Sequence, residues 1–400
     1  ERNMTYLGFV AIMDPPREGV HESVQEVKNA GIKPIMVTGD SIETARSIAS
    51  QVGIIDQNDL IVEGREVQAL SEIDFSKVSV FARISPKEKI AIVDRFKAQK
   101  RVVAMTGDGV NDAPAISAAE VGIAMGITGT DVTKQAADMV VADDSYNSIV
   151  KGIREGRGVF QKIQAIIFFY IAVNLAEAIV YFGASFLPQF FLLNTWQQMY
   201  VFLLAHTFPP FALIIDSLSK DVMKERPRDE EGIFSRGRRQ SLMIFAASLA
   251  VVIAVSYFTT LNGVWPLFEG NQIGFIPNID GGFQNPTSWS QAKARTMLHT
   301  VIFIAECTLV LSIRRMGKPL IKSLAEENNW IIWPLILLVP LAHLLLMYVP
   351  QIQTYLGGFG IYLDVVQLTA VDWLFGIALG AIPILLLELH KIWLAKRQER

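Results

Sequence analysis

Carboxylates and glycines are concentrated in residues 105–114, which read MTGDGVNDAP. The apolar residues from Val102 to Met105 predict a short buried strand before this turn, and a helix is expected to start near Asn111. Carboxylates at the carboxyl end of a strand, beside glycines that let phosphate approach the backbone, suit a Mg²⁺–phosphate site, with Asp108 and Asp112 as candidates. An acidic surface turn is the alternative for a Gly-Asp-Gly sequence taken alone.

A second polar turn consists of Thr38, Gly39 and Asp40. It follows the strand predicted over 33–37 and precedes a helix expected over 41–51, with the serine at its start as N-cap. The backbone N–H groups at such a helix start could bind a phosphoryl group. A simple capping turn is the alternative interpretation.

Lys89 is the third candidate in this half of the chain. A strand is predicted over 78–82, and Pro86 fits the first turn of the following helix, which places Lys89 near the helix N-terminus. On its own, such a lysine is an ordinary solvated side chain. Further strands are expected over 121–125 and 139–141, and alternating strands and helices predict a doubly wound parallel sheet with its site at the strand carboxyl ends.

The composition indicates a large membrane part. Of the 400 residues, 51% are hydrophobic, and the mean hydropathy is +0.34. The net charge of −3 and the lack of a basic run give no indication of nucleic-acid binding. The single cysteine, Cys307, lies in an apolar segment, which excludes a disulfide framework or a Cys-rich metal site.

Six apolar segments are each long enough to cross about 30 Å of hydrocarbon. They lie near 163–186, 196–216, 241–262, 296–313, 330–349 and 371–394. Pro209-Pro210 interrupts the second segment, and a polar helical stretch over 145–162 leads without a break into the first. The sequence therefore predicts an α/β unit followed by a membrane bundle of six helices.

The loops between these segments alternate in charge. Lysines and arginines occur in 217–240, in 314–323 and in the C-terminal tail, whereas 185–195 and 350–370 contain none. The positive-inside rule places residues 1–162, the basic loops and the C-terminus in the cytoplasm, and the 263–295 loop outside. A multi-pass integral membrane protein is expected, and neither the plasma membrane nor an organelle is favoured.

Several motifs together resemble the P-type ion-pumping ATPases. MTGDGVNDAPAI is joined by DPPR at 14–17 after a strand predicted over 7–13, by SIETARSIASQVGI after the Thr-Gly-Asp turn, and by VMKERPRD after the second span. Locally, DPPR also reads as a plain loop. The six spans resemble type II and type III pumps, and the motifs look most like the calcium-pump branch. The resemblance covers nearly the whole chain.

The resemblance implies a haloacid-dehalogenase-like fold, here incomplete. Residues 1–150 would form the C-terminal part of the phosphorylation domain, 145–162 a cytoplasmic stalk helix and 163–400 the transmembrane domain. Catalytic roles are implied for the polar residues at the strand ends: Thr38, Gly39, Asp40, Lys89, Asp108, Asn111 and Asp112. Within that set Asp108 would hold Mg²⁺, and Lys89 would bind the phosphoryl group. Arg83 and Asp40 would contribute to binding the cofactor ATP.

Polar side chains inside the spans are candidates for binding the transported ion. Asn174 and Glu177 lie three apart, on one helix face. An unpaired carboxylate in hydrocarbon is costly, so Glu177 is a functional candidate. The resemblance implies that both residues bind the ion together with Glu306 of the fourth span. The alternatives are a structural hydrogen-bonded pair and, for Glu306, a structural or protonated group.

The second span departs from the calcium-pump pattern. That pattern supplies Asn, Thr and Asp before Gly-Leu-Pro, whereas alignment on Pro209 places Phe202, Ala205 and His206 there. Ca²⁺ prefers six to eight oxygens, and neutral imidazole suits Mn²⁺, Fe²⁺ or Zn²⁺ better. A protonated His206 could instead serve as counter-charge to Glu177, or it could simply hydrogen-bond in the bundle. The predicted substrate is a divalent cation, Ca²⁺ or a transition metal such as Mn²⁺, with a monovalent cation or proton as the alternative.

Parts of the family pattern are missing from the chain. It contains no Asp-Lys-Thr-Gly-Thr phosphorylation motif, no Thr-Gly-Glu actuator loop, no nucleotide domain and no first four spans. The expected explanation is the C-terminal half of a pump, with the N-terminal half as its partner, so the chain alone should not hydrolyse ATP. A membrane-anchored phosphatase is one alternative, but no D-x-D nucleophile lies upstream of Asp14. A non-catalytic half-pump subunit or regulator is the other.

Overall fold

The computed structural model describes residues 4, 8, 15–56, 58–69, 75–186, 193–225, 227, 232–262, 286–326 and 329–398. The chain divides into two compact units, one formed by 1–157 with 221–228 and the other by 158–220 with 229–400. Apart from Gly8, the strand predicted over 7–13 lies outside the described residues, as do Asp14 of the DPPR connection and most of the predicted outer loop. The domain boundaries inferred from the sequence stay a prediction.

The strands of the first unit are all parallel to their neighbours. They are β1 (Met36–Val37), β2 (Leu60–Glu63), β3 (Val78–Ala82), β4 (Ala104–Gly107), β5 (Val121–Met125) and β6 (Met139–Val141). Two three-stranded sheets result, in the orders β1-β3-β2 and β4-β5-β6. The predicted parallel α/β fold is confirmed, and within the described residues β1 and β4 each pair with one other strand.

Five helices belong to the strands of this unit. They are α1 (Val20–Asn29), α2 (Ile42–Gln51), α3 (Pro86–Ala98), α4 (Ala113–Ala118) and α5 (Asp131–Ala136). Helix α2 packs its small residues Ala45 and Ala49 against Val80 of β3, and α3 packs Ile92 in the same buried cluster as Phe81 of β3. Because Val80 and Phe81 are successive strand residues, they point to opposite faces. The first sheet is thus covered on both sides, as in a doubly wound fold.

Local sequence signals at two helix starts are confirmed. The Ser41 hydroxyl accepts a hydrogen bond from the backbone N–H of Thr44 at 3.3 Å. Pro86 occupies the first turn of α3, and the Glu88 carboxylate accepts from the backbone N–H of Ser85 at 2.7 Å. These side chains satisfy donors that a helix leaves unpaired at its N-terminus.

Three predicted strand and helix bounds need correction. The strand expected over 102–105 lies at Ala104–Gly107, and Val102 is 83% exposed rather than buried. The strand expected over 33–37 has only two residues, and the helix expected near Asn111 begins at Ala113 after one 3₁₀ turn. The ends of a short strand depend on which residues pair with neighbouring strands, and hydropathy along the chain does not report that pairing.

The second unit is built from helices, and the long helix α6 connects it with the first. The helices are α6 (Tyr146–Ser185), α7 (Thr195–Leu204), α8 (Phe208–Ile215), α9 (Arg236–Leu261), α10 (Pro286–Ile313), α11 (Leu320–Glu326), α12 (Trp333–Tyr348), α13 (Pro350–Gly357) and α14 (Ala370–Gln398). Six segments among the described residues are long and apolar enough to cross a membrane, which confirms the predicted count and a multi-pass membrane protein. The sequence did not predict the short helices α11 and α13.

Two of the spans differ in detail from the prediction. The second consists of α7 and α8 with a break at 205–207, directly before Pro209-Pro210. The fourth, α10, begins at Pro286, ten residues earlier than expected. Helix α10 packs against α8, α9, α12 and α14, and 89% of its most apolar window is buried. It is therefore the central helix of the bundle.

Candidate functional site

Asp108 lies just beyond the end of β4, and its backbone is fixed by the loop that precedes α5. The backbone N–H of Thr130 donates to the carbonyl of Asp108 at 3.0 Å. The hydroxyl of Thr133 donates to the carbonyls of Asp108 and Gly109 at 3.3 and 3.0 Å, and Thr133 is completely buried. The Asp108 side chain itself is exposed and bonds to no other described residue. A fixed backbone with a free carboxylate suits a cation ligand.

Asp112 and Lys89 form a close ion pair beside this turn. Lys89 Nζ lies 2.5 Å from Asp112 Oδ1, and the backbone N–H of Gly109 donates to Asp112 Oδ2 at 3.3 Å. A Cβ added at Gly107 would lie 2.5 Å from that of Asp112, so only glycine allows this approach. Asp112 thereby positions the lysine at the N-terminal turn of α3.

The Thr-Gly-Asp turn continues the pairing of β1 with β3. The Thr38 hydroxyl donates to Asp40 Oδ2 at 2.9 Å and accepts from the backbone N–H of Asp40 at 3.1 Å. The backbone N–H groups of Arg83 and Ile84 donate to the carbonyls of Asp40 and Thr38, at 2.9 and 3.0 Å. The exposed Asp40 carboxylate is thus held beside the capped start of α2.

Arg83 lies on the turn between β3 and α3. Its φ of 51° is in the left-handed region, which a non-glycine residue adopts only when its surroundings hold it there. Its guanidinium lies 3.3 Å from the carboxylate of Glu63, which is buried and also contacts Arg65 at 2.6 Å. The side chain of Arg83 is 62% exposed, so it can still reach a ligand in solution.

Sequence reasoning missed the residues that fix the loop around 126–130. The Asp144 carboxylate accepts from the backbone N–H groups of Ile127 and Thr128 at 2.9 and 2.8 Å, and from the Thr128 hydroxyl at 2.8 Å. These bonds, the one from Ile127 foremost, lower the pKa of Asp144 to about 2. The ionised carboxylate of Asp144 therefore fixes the loop that places Thr130 next to Asp108.

A signal for part of this loop is visible in the sequence. Thr130 caps α5 by accepting from the backbone N–H of Thr133 at 3.3 Å, and the spacing Thr-x-x-Thr before a helix predicts such a cap. No comparable signal marks Asp144, because Asp143-Asp144 before Ser145 reads as an ordinary polar turn.

The second cluster of candidates surrounds the break between α7 and α8. Pro209 and Pro210 have no N–H, so the carbonyls of Ala205 and His206 lose the donors that a continuous helix would provide. The hydroxyl of Tyr170 on α6 donates to the carbonyl of His206 at 2.9 Å instead. The break thus leaves the carbonyl of Ala205 without its helical donor, and the side chain of His206 lies close to α6 and α10.

Three spans bring His206 together with Glu177 and Glu306. Nε2 of His206 lies 3.4 Å from Glu177 Oε1 and 3.3 Å from Glu306 Oε1. Their side chains are 7%, 21% and 0% exposed, in that order. One ligand atom from each residue lies within 4.8 Å of the others, and a search of the described residues finds no other such group. Beyond this ionic contact, the oxygens of Glu306 have no hydrogen-bond partner in the described structure.

The charge of this cluster determines what it can bind. With His206 neutral, Glu177 and Glu306 carry two negative charges when ionised, which one divalent cation would balance. With His206 protonated, one negative charge remains, which one proton or monovalent cation would balance. A buried carboxylate without such compensation is costly, so the cluster is suited to binding cations.

Asn174 lies apart from this cluster. Its side chain is exposed, and its amide donates to the carbonyl of Tyr170 in its own helix at 2.7 Å. The structure therefore brings together three of the four membrane residues singled out from the sequence. Two carboxylates and one imidazole supply fewer oxygens than Ca²⁺ commonly takes.

Comparison with known families gives matches over both units. The profile described as "Cation transporting ATPase, C-terminus" matches residues 190–393. Two profiles of haloacid dehalogenase-like hydrolases match residues 2–120 and 90–153. The membrane bundle and the α/β unit are therefore both similar to parts of known families.

The similar proteins are calcium-transporting ATPases by name. Calcium-transporting ATPase 1 of Bacillus cereus is 34% identical over 404 residues, which cover 98% of this chain and 43% of that protein. The endoplasmic reticulum calcium ATPase srcA of Aspergillus fumigatus is 32% identical over 414 residues, covering 98% and 41%. Human calcium-transporting ATPase type 2C member 1 is 37% identical over 254 residues, covering 62% and 27%. The chain spans less than half the length of these relatives.

Proposed function

The chain belongs to the cation-transporting ATPases, and we propose that it provides the Mg²⁺–phosphoryl site and the cation site of an ATP-driven pump for a divalent cation. The observation that carries this proposal is the cluster of Glu177, His206 and Glu306 from three membrane helices. Carboxylates buried in a bundle with a single histidine between them need a positive partner, and a transported cation is the partner that such a pump supplies.

The substrate is Ca²⁺ or a transition metal such as Mn²⁺. The relatives are calcium-transporting by name, which favours Ca²⁺. The donor set favours a metal that accepts nitrogen, because His206 lies where an oxygen ligand would serve Ca²⁺ better. The carbonyl of Ala205, freed by Pro209, is a further oxygen that could reach a cation in this cavity.

The cytoplasmic unit would bind ATP and Mg²⁺ and carry out the phosphoryl chemistry. Its donors fit Mg²⁺, which prefers oxygen ligands, because the exposed Asp108 carboxylate has a fixed backbone and no other described partner. Bound there, Mg²⁺ would neutralise phosphate charge. Asn111 and Asp112 would support Asp108. Lys89, already oriented by Asp112, would stabilise charge on a transferring phosphoryl group.

The Thr-Gly-Asp turn would bind the same phosphoryl group from the side of α2. Gly39 offers a backbone N–H group near the start of that helix, whereas the N–H of Thr38 donates to the carbonyl of Phe81 at 2.9 Å. The Thr38 hydroxyl fixes Asp40. Arg83 and Asp40 would contribute to ATP binding. In the pump as a whole, the cycle would pass through an aspartyl-phosphate formed outside this chain, with residues 1–162 and the C-terminus in the cytoplasm.

The test is the ion dependence of ATP hydrolysis by the full-length pump. Turnover is measured with Ca²⁺, Mn²⁺, Mg²⁺ or Zn²⁺ for the wild type, Glu177→Gln and His206→Asp. We expect Glu177→Gln to lose stimulation by the preferred cation, and His206→Asp to shift preference towards Ca²⁺ because it adds an oxygen ligand. Unchanged ion preference in His206→Asp would show that His206 is not a ligand.

One observation favours a second candidate substrate. His206 Nε2 approaches both carboxylates at nearly equal distances, as an imidazolium between two carboxylates would. In that case the cluster would bind a monovalent cation or a proton. Stimulation of the wild type by Na⁺, K⁺ or acid, with no response to the four divalent ions, would support this candidate over the first.

A further inference from the structure

A groove with a volume of 890 Å³ lies between the start of α9 and the last turns of α14. Arg236, Arg239 and Gln240 line it from α9, and His390 and Trp393 line it from α14. The groove is at the end of the bundle where the apolar part of both helices gives way to charged residues. It is formed by other spans than those that hold Glu177, His206 and Glu306.

Two contacts fix the groove as a feature of the fold. The hydroxyl of Ser241 and Nδ1 of His390 are 2.9 Å apart, in a hydrogen bond between the two helices. One turn away, Gly237 lies against Leu394, where an added Cβ would be 3.0 Å from a methyl group of the leucine. The close approach at glycine and the hydrogen bond fix the distance between the two helices whose side chains line the groove.

The groove is positive on its α9 side. Two of its lining residues are arginines and none is an Asp or Glu, while Lys391 of α14 is buried and pairs with Glu388 at 2.8 Å. Arg238 turns away and donates to Gln164 of α6 at 2.8 Å, which leaves Arg236 and Arg239 on the groove side. Both are exposed, and neither forms an ion pair with any residue that the structure describes.

Apolar and aromatic side chains line the part of the groove that follows the membrane part of α9. Met243 and Ile244 line it beyond the arginines, and Met243 is 55% exposed. Trp393 is 51% exposed, and the guanidinium of Arg397 lies 5.5 Å from the centre of its ring. Tryptophan is typical of the membrane–water interface, where its apolar ring meets the headgroups. A ligand of this groove therefore needs an anionic part and an apolar part side by side.

We propose that this groove binds the headgroup of an anionic phospholipid, with the phosphate between Arg236 and Arg239 and the first part of an acyl chain along Met243, Ile244 and Trp393. Arginine pairs well with phosphate because its planar guanidinium can donate two parallel hydrogen bonds. Basic pockets between membrane helices favour anionic lipids in general. A zwitterionic lipid would bring an ammonium group next to two guanidinium groups, and free phosphate would leave the apolar half of the groove exposed to water.

The experiment measures lipid binding to the full-length protein by native mass spectrometry after delipidation in detergent. Phosphatidylglycerol and phosphatidylcholine are titrated separately into the wild type and Arg236→Gln/Arg239→Gln. The matched control is Lys220→Gln/Lys322→Gln, which removes two exposed positive charges of the same unit away from the groove. Arg236→Lys/Arg239→Lys keeps the charge, and size-exclusion chromatography verifies that each variant is folded.

We expect the wild type to bind one phosphatidylglycerol in preference to phosphatidylcholine. Removing both arginine charges should weaken that binding about 30-fold, since each positive charge near anionic lipid contributes on the order of 1 kcal/mol. The control pair should bind as the wild type does, the lysine pair should retain the preference, and millimolar inorganic phosphate should not displace the lipid. The proposal would be overturned if the wild type bound the two lipids equally or if the glutamine pair bound phosphatidylglycerol as the wild type does. It would also be overturned if inorganic phosphate displaced the lipid or if the lysine pair lost the preference.

Discussion

The two carboxylate clusters differ in how far their negative charges are exposed to water. Around Asp108 the backbone is fixed by Thr130 and Thr133 while the carboxylate stays exposed to water. Around His206 the side chains of Glu177 and Glu306 are themselves enclosed, and Glu306 has no exposed surface. The first cluster lies within one α/β unit, whereas the second needs three membrane helices.

This difference indicates where each cluster is sensitive to substitution. In the exposed cluster, the carboxylate costs little to keep ionised, so its loss should affect function and leave stability almost unchanged. In the buried cluster, the charge is costly, so if it serves the proposed cation site, neutralising it should impair cation binding while the fold becomes no less stable. The following predictions test this contrast, from the largest expected effect to the smallest.

Asp108→Asn should have the largest effect. It removes the charge of the proposed Mg²⁺ ligand without changing its size, so ATP turnover of the full-length pump should fall by about 100-fold or more, as it does when a key electrostatic group is removed from an active site. Asp94→Asn is the matched control, since Asp94 is an exposed carboxylate on α3. Turnover of Asp108→Asn close to that of the control would refute the role of Asp108.

Glu306→Gln should separate function from stability. The apparent affinity for the activating cation should fall by about 10- to 150-fold, which corresponds to about 1.5–3 kcal/mol for one interaction with a charged group. With His206 neutral, thermal unfolding without the cation should occur at the same temperature or higher, because a neutral amide costs less to bury than a carboxylate, whereas with His206 protonated the loss of its buried partner should lower that temperature. Glu326→Gln, at an exposed ion pair, is the control. If Glu306→Gln bound the cation with full affinity but unfolded far more easily, the expected contrast between the two clusters would be contradicted.

Thr133→Val should produce a moderate effect through the backbone of the exposed cluster. The substitution keeps the volume and removes the hydroxyl that donates to the carbonyls of Asp108 and Gly109. Both carbonyls keep a backbone donor, from Thr130 and from Asp112, so the cost is that of the lost hydrogen bonds, about 0.5–1.5 kcal/mol each in the free energy of unfolding. Hydrogen exchange in the α/β unit at increasing denaturant concentration measures this change, because the first tryptophan of the chain is at position 196. Thr44→Val, at an exposed helix start, should change the free energy of unfolding much less.

Asp144 should give the smallest effect, visible as a local pH dependence. Its pKa is about 2 in the folded protein and about 3.9 in an unfolded chain. Because the folded pKa is the lower one, the stabilisation is complete above about pH 4 and is lost as the pH falls through about 2. Hydrogen exchange at the amides of Ile127 and Thr128 should therefore lose protection in that window.

The same sample contains a control for this measurement. The amide of Thr44 is bonded to the Ser41 hydroxyl, which does not titrate, so its protection should not follow the same pH curve. Asp144→Asn should remove the pH dependence at Ile127 and Thr128. A curve at these two amides that persists in Asp144→Asn would exclude Asp144 as their anchor.

Features governed by neighbouring residues could be predicted from the sequence. The Ser41 cap, the proline at the start of α3 and the bounds of β3, β5 and β6 follow from local patterns, and the structure has them where the sequence placed them. The turn at Asp108 was predictable for the same reason, since a strand, glycines and carboxylates adjoin one another along the chain.

Features that depend on distant residues could not be predicted. The exposure of Val102 depends on which strands pair with β4, and hydropathy alone does not report strand pairing. Asn174 and Glu177 share one helix face by spacing, yet only Glu177 reaches His206, because the rotation of α6 is set by packing against other helices. The role of Asp144 likewise depends on a loop that its own neighbours do not reveal.

The central position of α10 has a consequence for how the protein is made. In the finished bundle little of its apolar surface touches lipid, because 89% of its most apolar window is covered by protein. Its hydrophobicity is therefore needed earlier, when the segment leaves the translocation channel and must enter the bilayer before its neighbours enclose it. Glu177 enters the membrane before the helix of Glu306 has been synthesised. The two carboxylates meet His206 only when the inserted helices associate, so the cluster is a product of helix assembly and not of membrane insertion.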